Sequence, residues 1–319
     1  MGMESTDIRM RAQPRGMDWP IVAFFALAYA LAWGVFLAMR LVAQRAGMDD
    51  TTEFLRCVEA LDFKAVPGEL ALPPWLLYAL SRVADFAFSI AGVTLIAFTA
   101  GKAGLRELVR SLIRWRMPFF VALAAFLPMF LYFGAALLAA ASNPEVRDSF
   151  DLSSGALAAA FFGAETGIIF HLLFRGAMGE ELGLRGFALP RLQARFGPVR
   201  ASLIIGVFWY LWHLPILVGR GTSQVLLFGV LVLLLTFIFT WLYNGSGGSL
   251  LPGLVFHAIQ NSEEAFERLL PAMKGTSWEG PASVGLLLFG IAATVRVIQT
   301  RRRAKSEVEP KSTSVVTLE

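Results

Sequence analysis

With 56% of its 319 residues hydrophobic and only 16% charged, the chain is too apolar for an ordinary soluble globule. Its apolar residues cluster in blocks of about twenty, the length that carries a helix across roughly 30 Å of hydrocarbon, and strand-like alternation that would suggest a barrel is missing. One cysteine, Cys57, excludes an internal disulfide framework and a Cys-rich zinc module, and the net charge of +4 reads as membrane topology, with no nucleic acid among the partners.

Residues 1–18 form a cytoplasmic N-terminal segment with Arg9, Arg11 and Arg15 and no small-residue cleavage site, so the first apolar block is read as a retained span. Spans are predicted at about 20–40, 73–100, 117–141, 156–184, 200–219, 223–243, 249–270 and 281–299. The fold expected is all-α, a polytopic membrane bundle of about eight transmembrane helices. Loop charge orients it. Lys102, Arg106, Arg110, Arg114 and Arg116, then Arg191, Arg195 and Arg200, then Arg301, Arg302, Arg303 and Lys305 share one side. Asp49, Asp50, Glu53, Glu59, Asp62 and Glu69, with Glu145, Asp148 and Asp151, lie on the other. Basic loops mark the cytoplasm, which puts both termini inside a multi-pass protein of the cytoplasmic (plasma) membrane, its first partner being the lipid bilayer. Within 102–116, Leu105, Leu108, Val109 and Leu112 oppose Arg106, Arg110 and Arg114, the pattern of an amphipathic helix in the inner headgroup layer or a short cytoplasmic helix. The tail after Lys305 is polar and reads as disordered.

Three charges interrupt this apolar text at "GEELGLRG", Gly179 to Gly186. A mid-membrane charge costs about 2.5–3.5 kcal/mol, so Glu180, Glu181 and Arg185 need partners or a water-filled cavity. Glu181 and Arg185 share a helix face at i,i+4 spacing and suit a structural ion pair. Glu180 points about 100° away from Glu181, free to face a cavity, where a carboxylate in apolar surroundings is a competent base.

All three histidines lie in apolar spans. His213 has Trp209 four residues before it and His257 has Asn261 four residues after, which makes two polar faces. His171 has only Arg175 at that spacing and is read as structural, as are Glu165 and the Arg82 and Asp85 pair. Counted from the inferred cytoplasmic ends at about 1.5 Å per residue, Glu181 lies roughly 14 Å deep, His213 roughly 18 Å, His257 roughly 12 Å and Asn261 roughly 18 Å. One layer thus holds carboxylate, imidazoles and amide, a set suited to amide hydrolysis, with a base for water and donors for an oxyanion. Glu180, His213 and His257 would equally make a catalytic zinc set with an open position, and the pattern accommodates both versions.

These blocks resemble the CPBP family of intramembrane proteases, which includes the type II CAAX prenyl endopeptidase and bacterial proteins linked to bacteriocin self-immunity. Glu180, Glu181 and Arg185 match its first motif, and His257 with Asn261 its third. The second motif has phenylalanine four residues before histidine; here Trp209 stands there, with Phe208 one residue earlier, so His213 carries over and the aromatic departs. The resemblance runs from about Phe174 to Asn261, including "RGFALPRLQARFGP" and "WHLP".

It implies an eight-helix endopeptidase with a cavity open toward the cytoplasm or the bilayer. Glu180 would act with His213 on water, and His257 with Asn261 on the oxyanion; family members are described as metalloproteases and as glutamate-type enzymes. The implied substrate is a peptide or membrane protein, prenylated and CAAX-like or not. The parts are then 1–18, N-terminal membrane helices over 19–155, a catalytic core at 156–270, a last span at 271–300 and a cytoplasmic tail at 301–319. A non-proteolytic scaffold or immunity protein is the alternative. A transporter is disfavoured by the lack of an internal repeat.

Overall fold

The computed structural model describes residues 19–163, 167–273 and 280–308, so Arg9, Arg11, Arg15, Glu165 and the end of the tail lie outside the described residues. Its regular elements are all helical. In chain order they are α1 (Trp19–Arg45), α2 (Thr51–Glu59), α3 (Pro74–Asp85), α4 (Ala87–Ile113), α5 (Phe119–Ala125), α6 (Leu127–Ser142), α7 (Pro144–Asp148) and α8 (Ser154–Phe162). Then follow α9 (Ile168–Phe174), α10 (Gly176–Gly183), a π-helical turn (Leu184–Ala188), α11 (Leu189–Trp212), α12 (Leu214–Leu217), α13 (Thr222–Gly245), α14 (Leu251–Gln260), α15 (Glu263–Leu269) and α16 (Gly280–Val308).

By length and composition α1, α4, α13 and the Gly280–Thr300 part of α16 can each cross a membrane, and α5 with α6, bent by 54°, makes a fifth crossing if taken together. The protein is therefore a polytopic helical membrane protein. The other apolar blocks are broken. The block at 156–184 becomes α8, α9 and α10, the last break falling at Arg175, whose backbone is extended at φ −130° and ψ −155°. The block at 249–270 ends its first helix at Asn261 and restarts after Ser262.

Broken helices are tolerated at membrane depth when their freed backbone groups are paired or line a cavity. Several are paired here by side chains from neighbouring helices. Tyr29 Oη donates to the Phe208 carbonyl at 2.5 Å, Trp33 Nε1 to Trp212 at 3.2 Å, and Tyr132 Oη to Gln260 at 2.8 Å. Close packing fixes α10 in turn. A Cβ on Gly183 would collide with the Phe88 carbonyl, and one on Gly92 would fall 2.7 Å from the Gly183 Cα, so only glycine lets α10 approach α4 this closely. Phe24, Phe88 and Phe187 fill the space beside that contact, and Ser202 donates to Thr240 at 2.8 Å between α11 and α13.

Gly101 (φ 56°, ψ −150°) kinks α4, a backbone shape that side-chain-bearing residues rarely adopt. The kink sets the basic amphipathic stretch apart from the apolar one, with Leu108 buried and Arg106 and Arg110 exposed. Val109, on the expected apolar face, is 54% exposed.

The two ends of the bundle differ. At one, Ser249 Oγ donates to the Arg114 carbonyl at 2.6 Å, Arg114 reaches the Gly247 carbonyl, and Gln193 and Asn244 exchange amide hydrogen bonds at 3.2 and 2.7 Å. That end gathers the loops rich in arginine. At the other, Asp151 N donates to the Leu269 carbonyl at 2.9 Å and Arg175 pairs with Glu59 at 3.1 Å, so the acidic loops collect there.

Candidate active site

The short helix α10 carries both glutamates inward, leaving Glu180 5% and Glu181 1% exposed. Glu181 Oε1 accepts from Arg185 Nη1 at 2.8 Å and from His257 Nδ1 at 2.9 Å. The expected i,i+4 pair is present, and it extends one residue further than its spacing alone suggests. Arg185 sits in the π-helical turn with its guanidinium 4.2 Å from the Phe239 ring centroid and 4.7 Å from that of Trp209. These aromatic faces stabilise the charge where Nε and Nη2 have no hydrogen-bond partner among the described residues.

Glu180 is held by a different group. Its Oε2 accepts from Trp209 Nε1 at 2.5 Å, so the residue that departs from the family's aromatic position supplies a hydrogen bond that phenylalanine has no N–H to make. Trp209 also accepts, through its backbone oxygen, from His213 Nδ1 at 2.7 Å. That bond places the His213 proton on Nδ1 and leaves Nε2 facing the cavity.

The arrangement closes around Gly176. A Cβ on that residue would lie 3.1 Å from His257 Nε2, 3.1 Å from Asn261 Nδ2 and 3.2 Å from Glu180 Oε1. Three polar atoms from α10 and α14 thus converge on one point at hydrogen-bond distance, kept open because residue 176 has no side chain. Such a point, about 3 Å from both a base and oxyanion donors, is where a reacting oxygen can sit. It adjoins a cavity of about 410 Å³ whose walls include Glu180, His213, Asn261, His171, Arg175 and Glu59.

Of the sequence candidates, Glu180, His257 and Asn261 meet at this point, Glu181 and Arg185 stand behind His257, and His213 lies on the cavity wall beside Trp209. Sequence reasoning missed Gly176, although it lies four residues before Glu180 on the same helix face. His171, read as structural, also lines the cavity, with a buried Nδ1 that has no partner among the described residues. Arg82 and Asp85 belong to an ionic cluster at the cavity mouth: Arg82 lies 3.4 Å from Glu59 and 3.2 Å from Asp85, and Arg175 lies 3.1 Å from Glu59 and 3.7 Å from Asp85.

As a zinc set, Glu180, His213 and His257 are poorly arranged. The Trp209 indole packs against both imidazoles, its centroid 5.9 Å from that of His213 and 5.8 Å from that of His257. Among the described residues no three His, Cys, Asp or Glu side chains gather as a metal ion requires. The donors as placed do not fit a zinc ion, and the chemistry below runs without one.

Residues 162–262, which contain every group at the convergence point, match the family profile described as type II CAAX prenyl endopeptidase Rce1-like. A stretch of 103 residues is 31% identical to CAAX prenyl protease 2 of Methanococcus maripaludis, covering 29% of this chain and 38% of that protein. The chain therefore spans well under half the length of the curated relative it matches.

Proposed function

We propose that the Rce1-like type II CAAX prenyl endopeptidase domain carried by this chain is a working intramembrane endopeptidase, hydrolysing a peptide bond in a membrane-associated polypeptide. The observation that carries the reading is the convergence of Glu180, His257 and Asn261 on the single open point beside Gly176. Glu180 Oε1 takes a proton from water, and the resulting hydroxide attacks the scissile carbonyl carbon. His257 Nε2–H and Asn261 Nδ2–H donate to the carbonyl oxygen as it gains negative charge. The C–N bond breaks as Glu180 returns the proton to the leaving amine. His213, with Nε2 toward the cavity, assists in holding the water.

The remaining groups position these. Glu181 Oε1 is shared between the Arg185 guanidinium and the His257 ring, so one buried carboxylate ties both together. Glu181 fixes the His257 ring through Nδ1 and aims Nε2 at the oxyanion, while Trp209 orients the base. In this reading the catalytic core spans 156–270 of a bundle that crosses the cytoplasmic membrane about eight times with both termini inside. The shorter helices pair to complete spans that no single one covers.

The relative's name makes a prenylated CAAX peptide the first substrate to offer. Purified protein in liposomes is to be incubated with a fluorogenic prenylated CAAX peptide and a panel of unprenylated ones. Cleavage that disappears in Glu180→Gln supports the proposal. Folded protein that cleaves nothing in the panel favours a scaffold or immunity role.

A further inference from the structure

We propose that Glu59, the last residue of α2, is a positioning residue of the active site: its carboxylate holds the chain at the Arg175 break and so fixes Gly176, where the reacting oxygen sits. This rests on the endopeptidase reading above, and it gives a share of the site to a segment outside the family match at 162–262.

Local sequence does not account for the break. Helices start best on Ser, Thr, Asp or Asn, whose side-chain oxygen accepts from the first free N–H groups. Arg175, which precedes α10, has no such oxygen, makes no side-chain cap bond, and brings a positive charge to the positive end of the helix dipole. Its anchor lies on other helices. Glu59 Oε2 is 3.1 Å from Arg175 Nη2, while Glu59 Oε1 is 3.4 Å from Arg82 Nη2. Arg82 Nη1 in turn donates to the Phe174 carbonyl at 3.4 Å. One carboxylate thus holds both sides of the break, Arg175 directly and Phe174 through Arg82. Asp85 touches the same two arginines, but its contact with Arg175 is longer at 3.7 Å, and its contact with Arg82 lies within α3.

The path from Arg175 to the reacting point is short. Gly179 N donates to the Arg175 carbonyl at 2.9 Å, the bond that opens α10, and Gly176 is the next residue. With only eight residues, α10 is too short to set its own direction. Its middle and far end are tied to α4, by Ser89 Oγ donating to the Met178 carbonyl at 2.7 Å and by the Gly183 contact with Phe88. Its near end, which carries Gly176, is tied by Glu59. The side chains of the ionic cluster are 15–24% exposed, so removing one charge loosens the tie without stranding a fully buried partner.

The test compares Glu59→Gln, Arg175→Gln, their double variant and Glu53→Gln in the full chain in liposomes, with the panel peptide that wild type cleaves. Glu53 is the control, because its exposed pair with Arg56 lies on the same helix but does not reach the break. Glu59→Gln is expected to lower kcat about ten- to a hundredfold with KM within about threefold, since misplacement by about 1 Å costs roughly a hundredfold. The double variant should lose no more than Arg175→Gln alone, because Glu59 acts through Arg175. Amide hydrogen exchange over residues 176–180 should quicken about tenfold or more in Glu59→Gln and stay at the wild-type rate in Glu53→Gln. A raised KM with unchanged kcat would make Glu59 a substrate contact on the cavity wall and overturns the proposal. Losses that multiply in the double variant overturn it too, as does exchange in Glu59→Gln at the wild-type rate. If Glu59→Gln does not fold, Glu59→Asp, which keeps the charge on a shorter arm, carries the same comparisons. If wild type cleaves no peptide, the endopeptidase reading fails, and the exchange rates still decide whether Glu59 holds the break.

Discussion

Replacing Gly176 with alanine places a methyl group at the point where Glu180, His257 and Asn261 converge, 3.1 to 3.2 Å from each polar atom. An oxygen sits well at that distance; a carbon does not, and it expels the oxygen. Displacing a reacting atom by about 1 Å costs roughly a hundredfold, and loss of an oxyanion donor costs about a hundred- to a thousandfold, so kcat should fall at least about a hundredfold. Stability should move little. Alanine gains about 0.4–1 kcal/mol at a helical position that accepts it, and the crowding of polar neighbours costs about 1–3 kcal/mol before Asn261, which is exposed, swings aside. The expected result is a folded protein that melts within a few degrees of wild type and has lost turnover. Peptide cleavage in liposomes and thermal unfolding of the same preparation measure both. Turnover within a few fold of wild type would refute the placing of the reacting oxygen at this point.

Glu180→Gln should abolish cleavage with folding retained. Glu181→Gln should destabilise by about 3–5 kcal/mol, because it leaves Arg185 buried beside an unpaired imidazole; a thermal shift measurement on both variants checks the division of roles. Trp209→Phe keeps an aromatic ring but removes the donor to Glu180, worth about 1.5–3 kcal/mol for a charged acceptor, so kcat should drop about ten- to a hundredfold with KM little changed. Elemental analysis should find zinc far below one per chain, with activity unaffected by chelation, while His257→Ala loses about a hundred- to a thousandfold in kcat. Stoichiometric zinc that leaves and returns together with activity would contradict the donor geometry. A reporter fused after Glu319 should behave as cytoplasmic and one inserted near Asp50 as external, reading out the orientation directly.

What the sequence determined by itself follows from two local costs. Hydrocarbon penalises charge and unpaired backbone, so long apolar blocks already require membrane helices, and Glu180, Glu181 and Arg185 already require partners. Helical periodicity puts residues four apart on one face, which is why the Glu181 and Arg185 pair and the His257 and Asn261 face are legible in the order of residues alone. Tertiary structure decided what lies across helices. Nothing local shows that the Trp209 indole reaches Glu180 twenty-nine residues away, or that His257 closes on Glu181 across seventy-six. Nor does hydropathy reveal that the block at 156–184 breaks at Arg175, because the break depends on the packing of Gly183 against Phe88 and the pairing of Arg175 with Glu59, each a contact between distant segments. Those contacts turn Gly176 from an unremarked small residue into the floor of the site, and they open its cavity where the side chains of α2, α3 and α10 leave room between the helices.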